Sequence, residues 1–204
     1  MSDYQSKLFK GISFSIESLE AESGSYKEEW IVELNLSCFS NLRRFSVGDH
    51  CFSHVSNVKV IGMKLLESVV IGNDCFNGEE GSDGSSEENG SVKGPSFYLK
   101  DCPVMRELKI GSNSFGAYSI CEIERMNSLE VIGIGDSDWC RYSFKYASLE
   151  LRSANRGMQL SIGLPQLKSV RIGSRAFHSG PHAVFESEQC VRGMMNRLTP
   201  IDLH

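Results

Sequence analysis

The feature that most constrains this chain is a short block met six times with one internal spacing. Five copies are plain: Leu42 to Phe52 (LRRFSVGDHCF), Leu66 to Phe76 (LESVVIGNDCF), Met105 to Phe115 (MRELKIGSNSF), Leu129 to Trp139 (LEVIGIGDSDW) and Leu167 to Phe177 (LKSVRIGSRAF). A degraded first copy is read over Phe9 to Leu19 (FKGISFSIESL). The pattern is L-x-x-φ-x-φ-G-x-x-small-aromatic, where φ is apolar. The shortest gaps between copies, Phe52 to Leu66 and Phe115 to Leu129, are 14 residues and define a 24-residue unit. Longer gaps after Leu19, Phe76 and Trp139 read as insertions in one half of the unit, which would project from one side of a stack.

The other half of the unit carries a second alternating pair: Leu34/Leu36, Val58/Val60, Phe97/Leu99, Cys121/Ile123 and Ala183/Phe185. Alternation with period two marks a short strand. Each unit thus reads as strand, glycine turn, small-aromatic corner, second strand, corner. The glycine either takes positive φ or lets the backbone turn closely. One such unit cannot bury its apolar side alone, so neighbours must stack on it. The expected fold is mainly β: a leucine-rich-repeat-like β-solenoid of about six coils, two short strands per coil, little helix. One domain is expected over residues 1–204. Repeats fill 9–186, an acidic disordered insertion lies at 77–94, and 187–204 form a C-terminal cap or a truncated coil.

Stacking makes a prediction about charge. The residue after the first apolar position is Lys10, Arg43, Glu67, Arg106, Glu130 and Lys168, and from Arg43 onward the signs alternate. Opposite charges on neighbouring strands attract and like charges repel.

At these blocks the sequence resembles the BspA-type leucine-rich-repeat family. More closely, LESVVIGNDCF, MRELKIGSNSF and LKSVRIGSRAF resemble a protist-expanded branch with IG-x-x-C-F repeats, and Tyr146 to Ser153 (YASLELRS) is similar to segments of that branch. The resemblance spans roughly Phe9 to Glu186. It implies a curved β-rich solenoid that presents a surface to partners. The family has no common catalytic residue set to transfer.

Charge narrows the function. The net charge is −5, and Glu79, Glu80, Asp83, Glu87 and Glu88 supply all of it. The rest of the chain is neutral, which argues against nucleic acid as a partner. No apolar run is long enough to span a bilayer, and Met1 to Lys7 lacks a secretory core. Seven cysteines without a CxxC pair fit neither a zinc ribbon nor a disulfide framework. An intracellular, cytoplasmic setting is expected, with the sequon at Asn35 incidental.

Candidate chemistry is sparse. Gly133-Ile134-Gly135 lacks the third glycine and the βαβ setting of a dinucleotide site. Asp49, Asp74, Asn113 and Asp136 follow the glycines. They can line up for Ca²⁺ or a glycosidase pair, or simply bond the turn backbone. His50/His54 and His178/His182 have zinc-like spacing but lie near opposite ends of the stack. Cys51 and Cys75 fill the small position before the aromatic and read as buried thiols. Ser85 and Ser86 precede acids and suit an acidophilic kinase. No cofactor and no metal are expected.

The expected function is a non-enzymatic protein-interaction or scaffold module. The outward lane of the first strands is Ser13, Ser46, Val70, Lys109, Gly133 and Arg171. That of the second strands is Asn35, Lys59, Tyr98, Glu122, Glu150 and Val184. Lys59, Tyr98, Lys109 and Arg171 are the candidate partner-binding residues. The alternatives are a carbohydrate-active β-helix enzyme and a repeat paralogue with no retained partner.

Overall fold

The computed structural model describes residues 3–78, 94–135, 143–152, 169–172 and 183–186. The acidic tract, Trp139, Asp136, Phe177, His178, His182 and residues 187–204 lie outside them. The described residues open with one short helix, α1 (Asp3–Leu8). Twelve strands follow among them: β1 (Ser18–Ala21), β2 (Glu33–Asn35), β3 (Arg44–Val47), β4 (Asn57–Ile61), β5 (Ser68–Ile71), β6 (Ser96–Lys100), β7 (Glu107–Ile110), β8 (Ile120–Glu124), β9 (Val131–Ile134), β10 (Ser148–Arg152), β11 (Ser169–Ile172) and β12 (Ala183–Glu186).

Odd and even strands part into two sheets, ordered β1-β3-β5-β7-β9-β11 and β12-β10-β8-β6-β4-β2. Every pairing is parallel. Parallel neighbours need a crossover, usually helical. Here the return path between two strands of one sheet is a strand of the other.

Register follows the blocks. Phe45, Val69, Leu108, Ile132 and Val170 form one row of the first sheet. Val58, Phe97, Cys121, Leu149 and Ala183 form a row of the second. Burial alternates along the strands, as in Val69 buried, Val70 exposed and Ile71 buried. Parallel sheets sandwiched by helices usually read as continuous apolar runs. Alternation survives here because only one face of each sheet meets the core.

The inward residues of both sheets belong to a single apolar cluster. Two further buried rows lie at the corners and were not anticipated. Phe39, Met63, Cys102 and Met126 sit three residues before Leu42, Leu66, Met105 and Leu129. Val55, Tyr118 and Ala147 sit three residues after the aromatic.

The aromatics form a column. Tyr26, Phe52, Phe76, Phe115 and Phe144 stack in succession with ring centroids 4.7, 5.1, 4.7 and 4.6 Å apart and interplanar angles of 8°, 7°, 6° and 5°. That rise equals the spacing of strands in a sheet. All five have positive φ, between 50° and 61°. Left-handed backbone costs a non-glycine residue about 1–2 kcal/mol, which burial of a ring outweighs.

Two expectations are corrected. The first copy is Ile16 to Tyr26, not Phe9 to Leu19: β1 pairs with β3 through Leu19↔Phe45, and Tyr26 stacks on Phe52. Ser25 and Cys51 are then 26 residues apart, so the first insertion nearly vanishes. Lys10 leaves the charge series and Glu17 enters it. Ser13 leaves the outward lane and Glu20 takes its place. Phe9 and Phe14 instead pack on Phe39, at 4.7 and 5.4 Å, as part of an N-terminal cover. In the fifth copy, Ser143 and Phe144 fill the small and aromatic places expected of Asp138 and Trp139. Ser114 and Ser143 are 29 residues apart, so the added length there falls before the aromatic corner.

The block glycines act by close approach at Gly72 and Gly111. A Cβ on Gly72 would lie 2.8 Å from the Gly48 carbonyl carbon, and one on Gly111 2.6 Å from that of Gly72.

Candidate interaction surface

Three polar ladders tie the repeat units together. The first uses the residue after the block glycine. The Ser23 Oγ accepts the Asp49 N–H (3.0 Å), the Asp49 Oδ1 accepts the Asn73 N–H (2.6 Å), and the Asn73 Oδ1 accepts the Ser112 N–H (2.8 Å). The second uses the small residue. The Cys51 Sγ donates to the Glu22 carbonyl (3.1 Å), Cys75 to Gly48 (3.0 Å), Ser114 to Gly72 (2.8 Å) and Ser143 to Gly111 (3.0 Å). Side chains that bond local backbone in an isolated turn here bond the neighbouring turn.

The third ladder is ionic. Arg43 lies 3.6 Å from Glu17 and 2.7 Å from Glu67. With Glu17 in place of Lys10, the series alternates from its first member.

These ladders absorb the candidate catalytic groups. The Asp49 carboxylate serves two N–H donors of Asn73. Asp74 accepts from the Asn113 amide, and His50 Nδ1 stands 3.8 Å from its other oxygen. Asp49 and Asp74 occupy successive places after the glycine, so they belong to two lanes rather than one. Among the described residues no three His, Cys, Asp or Glu side chains gather as metal ligands do.

The described cysteines are free thiols. Burial pushes Cys75 and Cys102 up to about 12, and it raises Cys121 and Cys38 as well. Such thiols donate hydrogen bonds and are poor nucleophiles.

The outward lanes stand in register. Asn35, Lys59, Tyr98, Glu122, Glu150 and Val184 are successive neighbours in the second sheet. Glu20, Ser46, Val70, Lys109, Gly133 and Arg171 are successive neighbours in the first. Of the four candidate residues, Lys59 and Tyr98 are brought side by side. Lys109 and Arg171 lie in the other sheet with Gly133 between them.

Neither described lysine stands alone. Lys59 Nζ is 3.2 Å from Glu33 and Lys109 Nζ 2.7 Å from Glu107. The Tyr98 ring carries Lys100 Nζ 4.9 Å from its centroid, and that ammonium also holds Glu122 and Glu124.

The sequence reading missed the corner beyond the second sheet. Arg125 reaches back to Asp101 with Nη2 2.7 Å from Oδ2, and it also meets Glu124 at 3.0 Å. That hydrogen bond holds the Asp101 carboxyl below the usual range and raises the guanidinium further. Both residues have positive φ, like Gly62 at the same place one unit earlier. Aligning Gly62, Asp101 and Arg125 would have marked the turn. Near this turn, Ile61, Leu65 and Val104 are 36, 36 and 39% exposed; Ile61 pairs with Lys100 on the strand that carries Tyr98, and Leu65 and Val104 each stand one residue before a block.

No family model, curated protein or solved structure matches the chain. Among the described residues no helix is long and apolar enough to cross a membrane.

Proposed function

We propose that the chain is a leucine-rich-repeat-type β-solenoid of about six coils, of the BspA-like pattern, acting as a non-enzymatic interaction or scaffold module. One observation carries the reading: the lane from Lys59 through Tyr98 to Glu122 is continuous across neighbouring strands, with exposed Ile61 on the same strand as Lys59. Tyrosine with adjacent apolar and charged groups is the composition of an interface centre. Carboxylates engaged by neighbouring backbone and cations favour this reading over glycoside hydrolysis, which needs two carboxyl groups facing a sugar. The partner is a protein, met in a reducing, cytoplasmic compartment that keeps the thiols free.

The test is proximity labelling in the native cell with the full chain, the variant Lys59→Glu/Tyr98→Ala, and Lys109→Glu as a probe of the other sheet. The reading expects a reproducible set of labelled proteins that falls away with the Lys59/Tyr98 variant. An unchanged set with all variants contradicts the lane assignment. Turnover of any polysaccharide in a glycan screen contradicts the non-enzymatic reading.

A further inference from the structure

One repeat unit carries added chain between two described residues, and the stack shows where its ends lie. From Phe76 to Met105 is 29 residues, against 14 from Phe52 to Leu66 and from Phe115 to Leu129. The excess of 15 equals the stretch 79–93, which separates Gly78 from Gly94. Counted without that stretch, Asn77, Gly78, Gly94 and Pro95 become the four residues after the aromatic. One unit on, those places are held by Gly116, Ala117, Tyr118 and Ser119.

The structure puts both flanks at those places. The Gly116 N–H donates to Asn77 Oδ1 at 3.4 Å. A Cβ on Gly78 would lie 3.4 Å from the Ala117 Cβ, and one on Gly94 would run into the Ser119 side chain. The Ser119 N–H donates to the Pro95 carbonyl at 2.9 Å, and Ser96 then pairs with Ile120. The chain therefore leaves the stack beside Ala117 and rejoins it beside Tyr118. Those two residues are consecutive, with Cα atoms about 3.8 Å apart. Gly78 and Gly94 are in step for one peptide bond, and a glycine on each side of it meets whatever φ and ψ the bond demands.

The units on either side keep their ordinary spacing. The turn after the aromatic is closed by the Val55 N–H on the Phe52 carbonyl at 3.2 Å and by the Tyr118 N–H on the Phe115 carbonyl at 3.1 Å. The Tyr118 hydroxyl reaches the Val55 carbonyl at 2.7 Å, across the unit that holds Gly94. Phe76 of that unit keeps its place in the aromatic column, 5.1 Å from Phe52 and 4.7 Å from Phe115. The unit with the added chain is stacked as closely as those without it.

We infer that the junction of Gly78 and Gly94 is a permissive insertion point: the stack is complete without 79–93 and carries that acidic stretch as an appendage whose length it does not sense. The inference rests on the register of the flanking residues, so it holds whether or not the Tyr98 lane binds a partner. Any contribution of Glu79, Glu80, Asp83, Glu87 and Glu88 to function is made by the appendage itself and not by support of the coils.

The experiment is thermal unfolding of the full chain and three variants. Deleting 79–93 joins Gly78 to Gly94 and removes a loop closure, so the melting temperature stays level or rises. Doubling the stretch in tandem lowers it by only about 1–2 °C. Deleting 78–94 takes two residues out of the turn itself and melts below both the parent and the first deletion. Tyr118→Phe placed in the 79–93 deletion gives the same shift as in the full chain, because the Val55 carbonyl is still in reach. A 79–93 deletion that melts lower or does not fold overturns the inference. So does a doubled stretch that costs several times the expected shift, a 78–94 deletion as stable as the shorter one, or a Tyr118→Phe shift that shrinks once 79–93 is gone.

Discussion

The Tyr118 hydroxyl donates a 2.7 Å hydrogen bond to the carbonyl of Val55, 63 residues earlier in the chain. Both residues are fully buried. The bond spans the repeat unit that carries the acidic tract, so it joins units on either side of the largest interruption in the sequence. A buried carbonyl without a donor costs about 1–3 kcal/mol. Tyr118→Phe keeps the ring against Phe115 and is expected to lower unfolding stability by that amount in urea titrations. An unchanged midpoint would mean that the two units do not meet there.

Alkaline stability follows from the thiols. Burial, the leading cause, raises Cys75 and Cys102 from 9.0 to about 12. In the unfolded chain they ionise near 9.0, so their contribution is whole below that pH and is lost as pH rises toward 12. Cys75→Ser places at this corner the residue type that Ser114 supplies one unit on. The variant is expected to lose less stability over that window than the parent. Equal losses would show that Cys75 is not buried in the folded state.

Two glycines separate space from backbone entropy. Gly72→Ala forces a methyl to within 2.8 Å of the Gly48 backbone. It is expected to destabilise, against the gain of about 0.4–1 kcal/mol that an unhindered Gly→Ala change gives. Gly133 meets only the Lys109 Cγ, at 3.8 Å. Gly133→Ala is expected to be neutral or stabilising, and thermal melts of the pair compare them directly. Equal shifts would contradict the close stacking at Gly72.

The ionic ladder predicts a swap. Glu67→Arg sets like charges beside Arg43, with an expected loss of about 0.2–1 kcal/mol. Arg43→Glu in the same chain restores the Arg43–Glu67 attraction but repels Glu17, so only part of the loss returns. A double-mutant cycle with no coupling would remove the ladder from the account.

Legibility in the sequence tracked how faithfully each unit repeats. Where a unit kept its glycine and aromatic, as in LESVVIGNDCF, strands, register and outward lane were readable. Ile16 to Tyr26 was missed because Glu22 stands for the glycine and Tyr26 for phenylalanine, while Phe9 and Leu19 imitate the pattern out of phase. Trp139 misled because it falls at the expected spacing, whereas added residues carry the corner on to Phe144. The cations at Lys59 and Lys109 were legible as positions but not as ion pairs. Glu33 and Glu107 reach them through neighbouring-strand and same-strand geometry that only the fold reveals.

The central claim is that successive units stack in one register, and the aromatic column tests it most directly. Nuclear Overhauser contacts between selectively labelled rings are expected in the order Tyr26, Phe52, Phe76, Phe115, Phe144, with none skipped. A Phe115 ring that contacts Trp139 instead of Phe144, or no contact between Phe76 and Phe115, would contradict it.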